Sequence, residues 1–275
     1  MSHLAGEYER LREHQAHVWL TFFDDPRLDG LLDDYRQLLT ADELAQEKRF
    51  HFEADRRRYL VTRALLRCTL SRYIDLPPSA WRFETNEYGR PYIANTEVPA
   101  TRLHFNISHT NSLIAVAVSL QGALGVDTEN LSRRPTVSHL AARYFASTEN
   151  RALQSLPLSQ QALRFFEYWT LKESYIKTRG MGLSIPLDHF SFDVSQPGRI
   201  HLHVDPSLED DATRWAFWQW SLGDDYLLAL CAQRTCAAAS TVRLWRVLPL
   251  LSMQTEDTQP TRISHPDLAP ELQTS

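Results

Sequence analysis

The strongest constraint on the fold is the stretch from residue 165 to residue 190, which predicts a long helix that runs into a glycine-containing loop. Gly180 and Gly182 permit positive φ, and Pro186 prevents the helix from restarting. Apolar and aromatic residues recur before the loop at intervals of three and four, the spacing of one buried helical face: Phe165, Tyr168, Trp169, Leu171, Tyr175 and Ile176. A rigid helix whose end is set by glycines is therefore expected.

Charged side chains lie beside this apolar face. Lys172, Glu173 and Lys177 avoid its most apolar edge, so two cations and one carboxylate share one helical surface. Helix geometry alone favours a surface salt bridge between Glu173 and Lys177, four residues apart. A functional role for these residues therefore depends on partners elsewhere in the chain.

The chain has 275 residues, of which 43% are hydrophobic, so it predicts a globular protein of one large or two ordinary domains. Its formal net charge of -5 gives no general attraction to nucleic acid or to an anionic membrane, and a phosphate ligand needs a local cluster of basic residues. The longest apolar runs are too short to span a bilayer. Cys68, Cys231 and Cys236 form no CxxC pair, and no basic-then-apolar leader is present, which predicts a reduced, cytoplasmic protein without disulfides.

The first half, residues 1–121, reads as helices followed by antiparallel strands. Thr40 and Glu43 have the spacing of a capping box, which predicts a helix after residue 40. Before Pro77 and Pro78 end the helical region, the buried face of a helix is predicted from four apolar residues: Tyr59, Leu60, Leu66 and Leu70. Short strands bounded by turn residues follow up to residue 120. Gly122 marks the expected boundary with the second half.

The second half, residues 122–252, is also predicted to contain helices and strands, but its sequence does not repeat that of the first half. A strand at 124–129 precedes three helices, and further strands follow up to residue 231. Residues 241–250 are expected to add an edge strand or a short helix. The polar, proline-bearing segment 253–275 predicts a disordered tail without a chemical role.

Two carboxylates alternate on the strand that opens the second half. Because strand side chains point to opposite faces in turn, Asp127 and Glu129 share one face and Thr128 lies on the other. The simplest interpretation is a strand end whose acids face solvent. With Glu173 added from the helix, three oxygen ligands are available for a hard cation such as Mg²⁺, with Mn²⁺ as a substitute.

A second group of polar residues, at 105–110, ends a predicted strand. Asn106, Ser108 and His109 are side chains suited to phosphate oxygens, and His109 precedes a small polar loop rather than an apolar strand. An isolated histidine is more often structural than functional. No Cys/His spacing indicates zinc, and no phosphate-binding glycine loop of the Walker or dinucleotide type is present.

Three ordered motifs resemble the signatures of the Sfp-type 4'-phosphopantetheinyl transferases. They are the sequences FNISH at 105–109, GVDTE at 125–129 and WTLKESYIK at 169–177. The resemblance extends to YGRP at 88–91 and GMGLSIPL at 180–187, and it covers roughly residues 40 to 235. Several spaced motifs in the correct order are far more specific than one motif alone.

The resemblance implies an α+β pseudo-dimer of two similar α/β halves, each a small antiparallel sheet packed on a long helix, with the active site between them. It implies coenzyme A and Mg²⁺, and transfer of the phosphopantetheine arm to a serine of an acyl or peptidyl carrier protein by a monomer. By position, it also implies metal ligands at Asp127, Glu129 and Glu173, a diphosphate contact at Lys177, and coenzyme contacts at Arg58, Arg90, Ser108 and His109. Lys172 is expected to make either a supporting phosphate contact with the coenzyme or a structural contact. In this scheme Glu173 accepts the serine proton, directly or through a metal-bound water, and Lys177 stabilises the departing adenosine 3',5'-bisphosphate.

The sequence departs from the family pattern at several positions. Thr128 stands where some members carry a glutamate, and Glu43 and Gln46 stand where relatives often place lysines near the adenosine phosphates. Neighbouring arginines are candidates to replace those lysines: Arg56, Arg57, Arg58 and Arg67. Arg133, Arg134 and Arg143 are candidates for docking an acidic carrier, with a solvated basic face as the alternative.

Two other function classes fit parts of the pattern. A metal-dependent phosphodiesterase or nucleotide hydrolase would use the same carboxylates with water as the nucleophile. A nucleotide-binding or partner-binding module would use the same surfaces without catalysis.

Overall fold

The computed structural model describes residues 11, 15–98, 103–120, 122–132, 137–234 and 241–265. The helices are α1 (Leu32–Leu38), α2 (Ala41–Arg49), α3 (Glu53–Leu70), α4 (Val137–Tyr144), α5 (Ser147–Gln154) and α6 (Leu158–Arg179). The strands are β1 (Gln15–Phe22), β2 (Phe83–Thr85), β3 (Pro91–Ile93), β4 (His104–His109), β5 (Leu113–Ser119), β6 (Leu124–Asn130), β7 (Phe190–Asp193), β8 (His201–Val204), β9 (Trp215–Leu222), β10 (Tyr226–Gln233), β11 (Thr241–Leu248), β12 (Ser252–Thr255) and β13 (Arg262–Ile263).

Two main sheets carry these strands. The first has the order β12-β11-β1-β5-β4, and the second has the order β13-β9-β10-β6. Neighbouring strands in both sheets are antiparallel except β1 and β11, which are parallel. β2 pairs with β3 and β7 with β8 as separate two-stranded sheets. The predicted α+β class is confirmed, and the first sheet is mixed rather than purely antiparallel.

The sheets stack face to face with helices outside them. One core cluster joins the inner faces of both sheets and contains Val18 of β1 and Trp218 of β9. A second cluster joins the outer face of the first sheet to α3, and a third joins the outer face of the second sheet to α6. All seven residues of β5 are buried because both faces of its sheet are covered, which explains its nearly continuous apolar sequence.

The two long helices form where the sequence predicts them. α3 buries Leu60, Val61, Ala64 and Leu65 at helical spacing, and α6 buries the aromatic face from Phe165 to Ile176. The predicted capping box begins α2: the Glu43 amide donates to Thr40 Oγ1 (3.3 Å), and the Thr40 amide donates to Glu43 Oε2 (3.0 Å). α6 ends at Gly180, whose φ is 69°. The pattern of one long helix per half is thus confirmed.

The end of the chain differs from the sequence prediction. β11, which the sequence places in the second half, lies between β1 and β12 in the first sheet and is therefore not an edge strand. Within the predicted disordered tail, 253–255 continue β12 and 262–263 form β13 beside β9. The prediction of disorder is not met at 253–255 and 262–263, because these residues pair with β11 and β9 through their backbones. The last ten residues, 266–275, lie outside the described part.

Two of the three cysteines fall within the described residues. Cys68 and Cys231 are free thiols. Burial raises the pKa of Cys68 to about 12, which makes that thiol a poor nucleophile at neutral pH. Among the described residues, no helix is long and apolar enough to cross a membrane.

Candidate active site

Close packing of α6 on β6 builds the centre of the site. A Cβ at Gly125 would lie 2.2 Å from the Ser174 carbonyl oxygen and 2.5 Å from the Thr178 amide nitrogen, so only glycine permits this approach. Asp127 and Glu129 follow Gly125 at alternate positions and therefore share the face that α6 covers. The glycine brings the end of the helix directly alongside the strand acids.

A cation from the helix contacts the first of these acids. Lys177 Nζ donates hydrogen bonds to Asp127 Oδ1 (2.7 Å), Ser108 Oγ (2.9 Å) and the Val126 carbonyl oxygen (3.1 Å). Ser108 Oγ in turn donates to Asp127 Oδ1 (2.9 Å). The other carboxylate oxygen, Asp127 Oδ2, is buried and has no hydrogen-bond partner among the described residues. Strand β4, strand β6 and helix α6 thus meet at one carboxylate.

Glu173 lies one helical turn before Lys177. Burial raises the pKa of the Glu173 carboxyl, the nearby negative charge of Asp127 raises it further, and Lys177 partly offsets both effects. A carboxyl whose pKa is raised toward neutrality is suited to accept a proton during a reaction. Glu173 therefore has the electrostatic setting of a general base.

Two basic side chains from the first half adjoin this centre. His109 is the last residue of β4, and its side chain remains accessible to solvent. Surrounding protein atoms partly desolvate the ring, which lowers the pKa of the imidazole. The positive charges of Arg58 and Lys177 lower the pKa further. Arg58 is half-buried and pairs with Asp55 on its own helix (2.9 Å). The first half thus places donors suited to anionic groups next to the acids of the second half.

The structure gives Arg90 a different environment from the one predicted. Arg90 Nη1 donates to the carbonyl oxygens of Lys177 and Thr178 (both 3.0 Å), and Nη2 donates to the Leu124 carbonyl oxygen (3.1 Å). These groups are the end of α6 and the start of β6. The guanidinium thereby satisfies carbonyl groups at a helix C-terminus, where a cation is also favoured by the helix dipole.

Lys172 lies in the core rather than at the site, which fits the structural contact expected for it and not the phosphate contact. Its side chain is fully buried, and its Nζ lies 2.8 Å from Glu149 Oε2 and 2.7 Å from the carbonyl oxygens of Leu187 and Phe190. Burial lowers the pKa of Lys172, and the Glu149 charge opposes that shift. Position 172 therefore belongs to the core between α5, α6 and β7.

The other candidate arginines also have structural partners. Arg57 binds the carbonyl oxygens of Phe23 and Asp25 and pairs with Asp29, and Arg67 is buried against Glu43. Arg56 is exposed, which leaves Arg58 as the predicted arginine that lies near His109. The four arginines that the sequence grouped as candidates therefore differ in burial and in their partners.

The residues proposed to face a carrier protein are only partly described. Arg143 is exposed, and its guanidinium lies over the ring of Tyr144 at 5.2 Å from the centroid. Arg133 and Arg134 lie outside the described residues.

The three predicted metal ligands do not form a cluster. Within the described part of the chain, no three His, Cys, Asp or Glu side chains lie close enough together to hold a metal ion. Asp127 is instead paired with Lys177 (2.7 Å). The buried, unpartnered Asp127 Oδ2 is nevertheless an oxygen donor of the kind that a hard divalent cation prefers.

Sequence reasoning missed the role of two polar side chains on β4 and just after it. Asn106 Oδ1 accepts a hydrogen bond from the Val126 amide (2.9 Å), and Thr110 Oγ1 accepts one from the Asn130 amide (3.2 Å). The signal was present as polar residues at alternate positions, which place Asn106, Ser108 and Thr110 on one face of the strand.

Comparison with known proteins identifies the family to which the chain is similar. The family model "4'-phosphopantetheinyl transferase superfamily" matches residues 123–231, and "4'-phosphopantetheinyl transferase, N-terminal" matches residues 30–121. The chain is similar to 4'-phosphopantetheinyl transferase HetI of Nostoc sp., at 34% identity over 174 residues, 63% of this chain and 72% of that protein. It is also similar to a 4'-phosphopantetheinyl transferase of Bacillus subtilis, at 33% identity over 216 residues, 78% of this chain and 91% of that protein.

Two further similarities concern a named relative and a solved structure. Sfp of Bacillus subtilis (strain 168) is 31% identical over 215 residues, 78% of this chain and 91% of Sfp. The crystal structure of Thermotoga maritima holo-acyl-carrier-protein synthase (AcpS) aligns with a TM-score of 0.34 and 21% identity, covering 42% of this chain and 64% of that chain. With two family models spanning most of residues 30–231 and relatives matched over most of their length, the chain belongs to the 4'-phosphopantetheinyl transferases, enzymes that transfer the phosphopantetheine arm of coenzyme A to carrier proteins.

Proposed function

We propose that the site at the junction of α6, β6 and the end of β4 moves the phosphopantetheine arm of coenzyme A to a serine hydroxyl of an acyl or peptidyl carrier protein. The observation that carries this proposal is the Lys177 ammonium, held on Asp127 (2.7 Å) and Ser108 (2.9 Å), one turn from Glu173. A fixed cation beside a carboxyl of raised pKa meets both needs of phosphoryl transfer, which are neutralisation of phosphate charge and removal of a proton.

In the proposed reaction the serine oxygen bonds to the phosphorus that carries the pantetheine arm. The bond from that phosphorus to the adenosine 3',5'-bisphosphate oxygen breaks, and Glu173 accepts the serine proton. Lys177 donates to the departing phosphate oxygen. Burial and the charge of Asp127 support the role of Glu173, because both raise the proton affinity of its carboxyl.

We assign coenzyme contacts to Arg58, Ser108 and His109 as well as Lys177. The support for this assignment is their proximity: the charges of Arg58 and Lys177 both act on the imidazole of His109, and Ser108 binds Lys177. A neutral imidazole, a hydroxyl and two cations can donate to phosphate oxygens from both halves of the chain.

We further propose that Asp127, Glu129 and Glu173, which do not form a cluster among the described residues, turn toward one another to hold Mg²⁺ when it binds, with Mn²⁺ as a substitute. Asp127 supports this through its buried Oδ2, which has no partner among the described residues, and through the all-oxygen character of the three side chains. When bound, the ion would neutralise charge on the diphosphate of coenzyme A. Glu129 follows Asp127 on the same face of β6 and completes the set.

Intact mass measurement of carrier proteins incubated with coenzyme A tests the function. A panel of apo-carriers from fatty acid, polyketide and nonribosomal peptide systems is expected to include at least one that gains one phosphopantetheine arm. Release of free phosphopantetheine without a heavier carrier would indicate a hydrolase. Absence of both products would indicate a binding module.

Two variants connect the activity to the site. Glu173→Gln removes the proton acceptor and is expected to lower kcat at least about 100-fold. Asp33→Asn changes a carboxylate on α1 whose side chain is 92% exposed, and it is expected to leave the rate unchanged. A Glu173→Gln protein that charges its carrier at the unmutated rate would contradict the role given to Glu173.

We also propose that the protein acts as a cytoplasmic monomer. The support is that both sets of site residues come from one chain, so that no second copy is needed to complete the site. Light scattering during gel filtration is expected to give a mass near 31.8 kDa, and twice that mass would contradict the monomer.

A further inference from the structure

The open edge of β6 is paired with side chains rather than with another strand. β6 ends the second sheet, and β10 covers only one of its sides. On the side of β6 away from β10, backbone groups at every second residue form hydrogen bonds with four side chains of the first half: Arg90, Asn106, Ser108 and Thr110. The four bonds join Arg90 Nη2 to Leu124 O (3.1 Å), Val126 N to Asn106 Oδ1 (2.9 Å), Thr128 N to Ser108 Oγ (3.3 Å), and Asn130 N to Thr110 Oγ1 (3.2 Å).

We call these four side chains the β6 seam. Asn106, Ser108 and Thr110 stand at every second residue along β4 and just after it. The β6 amides that they bind also recur at every second residue, so the spacing of the two strands matches. Asn106, Ser108 and Thr110 are all buried. Since a buried amide without a partner is unfavourable, each bond resists sliding of one strand along the other.

The seam lies between the two sets of site residues. Asp127 and Glu129 are on β6, and the close contact at Gly125 makes Glu173 and Lys177 move with that strand. His109 stands on β4 between two seam residues, Ser108 and Thr110. A shift along the seam would therefore move the first-half phosphate donors relative to the second-half acids while leaving each set internally intact.

We propose that Asn106 and Thr110 are positioning residues for the transfer reaction. They hold β6 in register with β4, so that a coenzyme bound by Arg58 and His109 presents its diphosphate to Lys177 and Glu173. This inference rests on the proposed function of the same site. Neither residue is assigned a contact with substrate; each acts through a backbone amide of β6.

Three substitutions test the role of the seam. Thr110→Val keeps the shape but removes the acceptor for the Asn130 amide, Thr110→Ser keeps the hydroxyl, and Asn106→Leu removes the acceptor for the Val126 amide. Thr110→Val and Asn106→Leu are expected to lower kcat/KM for coenzyme A about tenfold, because small misplacements of reacting groups are costly. Thr110→Ser is expected to stay within twofold of the unmutated protein.

A matched control separates positioning from general stability. Thr21 is fully buried in β1, and its Oγ1 donates to the Val247 carbonyl oxygen (2.7 Å), away from β6. Thr21→Val makes the same chemical change and is expected to lower the unfolding midpoint without changing kcat/KM. An equal loss of kcat/KM in Thr21→Val would overturn the proposal.

Two measurements do not depend on turnover. Amide hydrogen exchange is expected to accelerate at residue 130 in Thr110→Val and at residue 126 in Asn106→Leu. Mn²⁺ affinity, measured by electron paramagnetic resonance, is expected to stay within twofold, because the proposed metal ligands all move with β6. Unchanged exchange, or unchanged kcat/KM despite faster exchange, would overturn the inference; failure of the unmutated protein to charge any carrier would overturn the proposed function instead.

Discussion

Lys172 and Lys177 stand five residues apart on α6, and their ammonium groups occupy opposite environments. Lys172 Nζ is fully buried, contacts Glu149 and two carbonyl oxygens, and lies 4.2 Å from the centre of the Phe190 ring. Lys177 Nζ reaches the partly open junction with β6, where its side chain is 26% exposed. The first lysine stabilises the core, and the second remains available to a ligand.

Lys172→Met is expected to lower the free energy of unfolding by about 3 kcal/mol, because it leaves the Glu149 carboxylate buried without a counter-charge. Urea unfolding measures this change. The KM for coenzyme A in the folded fraction is expected to stay within twofold. A large rise in KM without loss of stability would restore the coenzyme contact predicted from the sequence.

The double variant Lys172→Met with Glu149→Met serves as the control. Replacing both charges removes the uncompensated carboxylate, so part of the lost stability is expected to return. The recovery is expected to be incomplete, since Glu149 also accepts hydrogen bonds from the amides of Ala146 and Phe192.

At the scale of elements, the active site depends on how closely α6 approaches β6. The Gly125 position has no room for a methyl group because backbone atoms of Ser174 and Thr178 stand in the way. Backbone atoms of a long helix cannot move singly, so any larger residue displaces the helix as a body. The same helix carries Glu173 and Lys177, and its position therefore controls both stability and catalysis.

Gly125→Ala is expected to lower the free energy of unfolding by about 2 kcal/mol and to slow carrier charging at least about tenfold. Thermal unfolding and a charging assay on the same preparation measure the two effects. Gly30→Ala is the matched control, since nothing lies within 4 Å of a Cβ at that position. Normal charging by Gly125→Ala would show that the close contact is not needed for catalysis.

At the scale of the whole molecule, the C-terminal strands β11 to β13 contribute to both sheets. β11 and β12 complete the first sheet beside β1, and β13 then pairs with β9 in the second. Arg262 of β13 donates to Glu167 Oε1 on α6 (2.8 Å) and to Gln219 Oε1 on β9 (3.2 Å). The C-terminal strands thus connect the first sheet, the second sheet and the helix that carries the site.

Arg262→Met is expected to lower the free energy of unfolding by about 2 kcal/mol, because Glu167 is buried and keeps only Arg164 as a charged partner among the described residues. Arg27→Met, which removes an exposed pair with Asp25, is expected to leave the unfolding midpoint unchanged. Equal midpoints for the two variants would mean that the Arg262–Glu167 pair contributes nothing to stability.

The sequence by itself determined the elements whose signals lie close together in the chain. Helical spacing predicted α3 and α6, the Thr40 and Glu43 pair predicted the start of α2, and alternation placed Asp127 and Glu129 on one face of β6. The spaced motifs also indicated the family. These features are readable because caps, periodicity and strand alternation depend on residues a few positions apart.

Only the tertiary structure decided which side chains meet across the chain. It placed Lys172 in the core, put Arg90 on backbone carbonyl groups, inserted β11 beside β1, and covered the edge of β6 with Asn106 and Thr110. The physical reason is that a charged or polar residue has the same local signal whether it faces a ligand or a buried backbone group. Its role is set by which surface closes over it, and that surface comes from residues far away in the sequence.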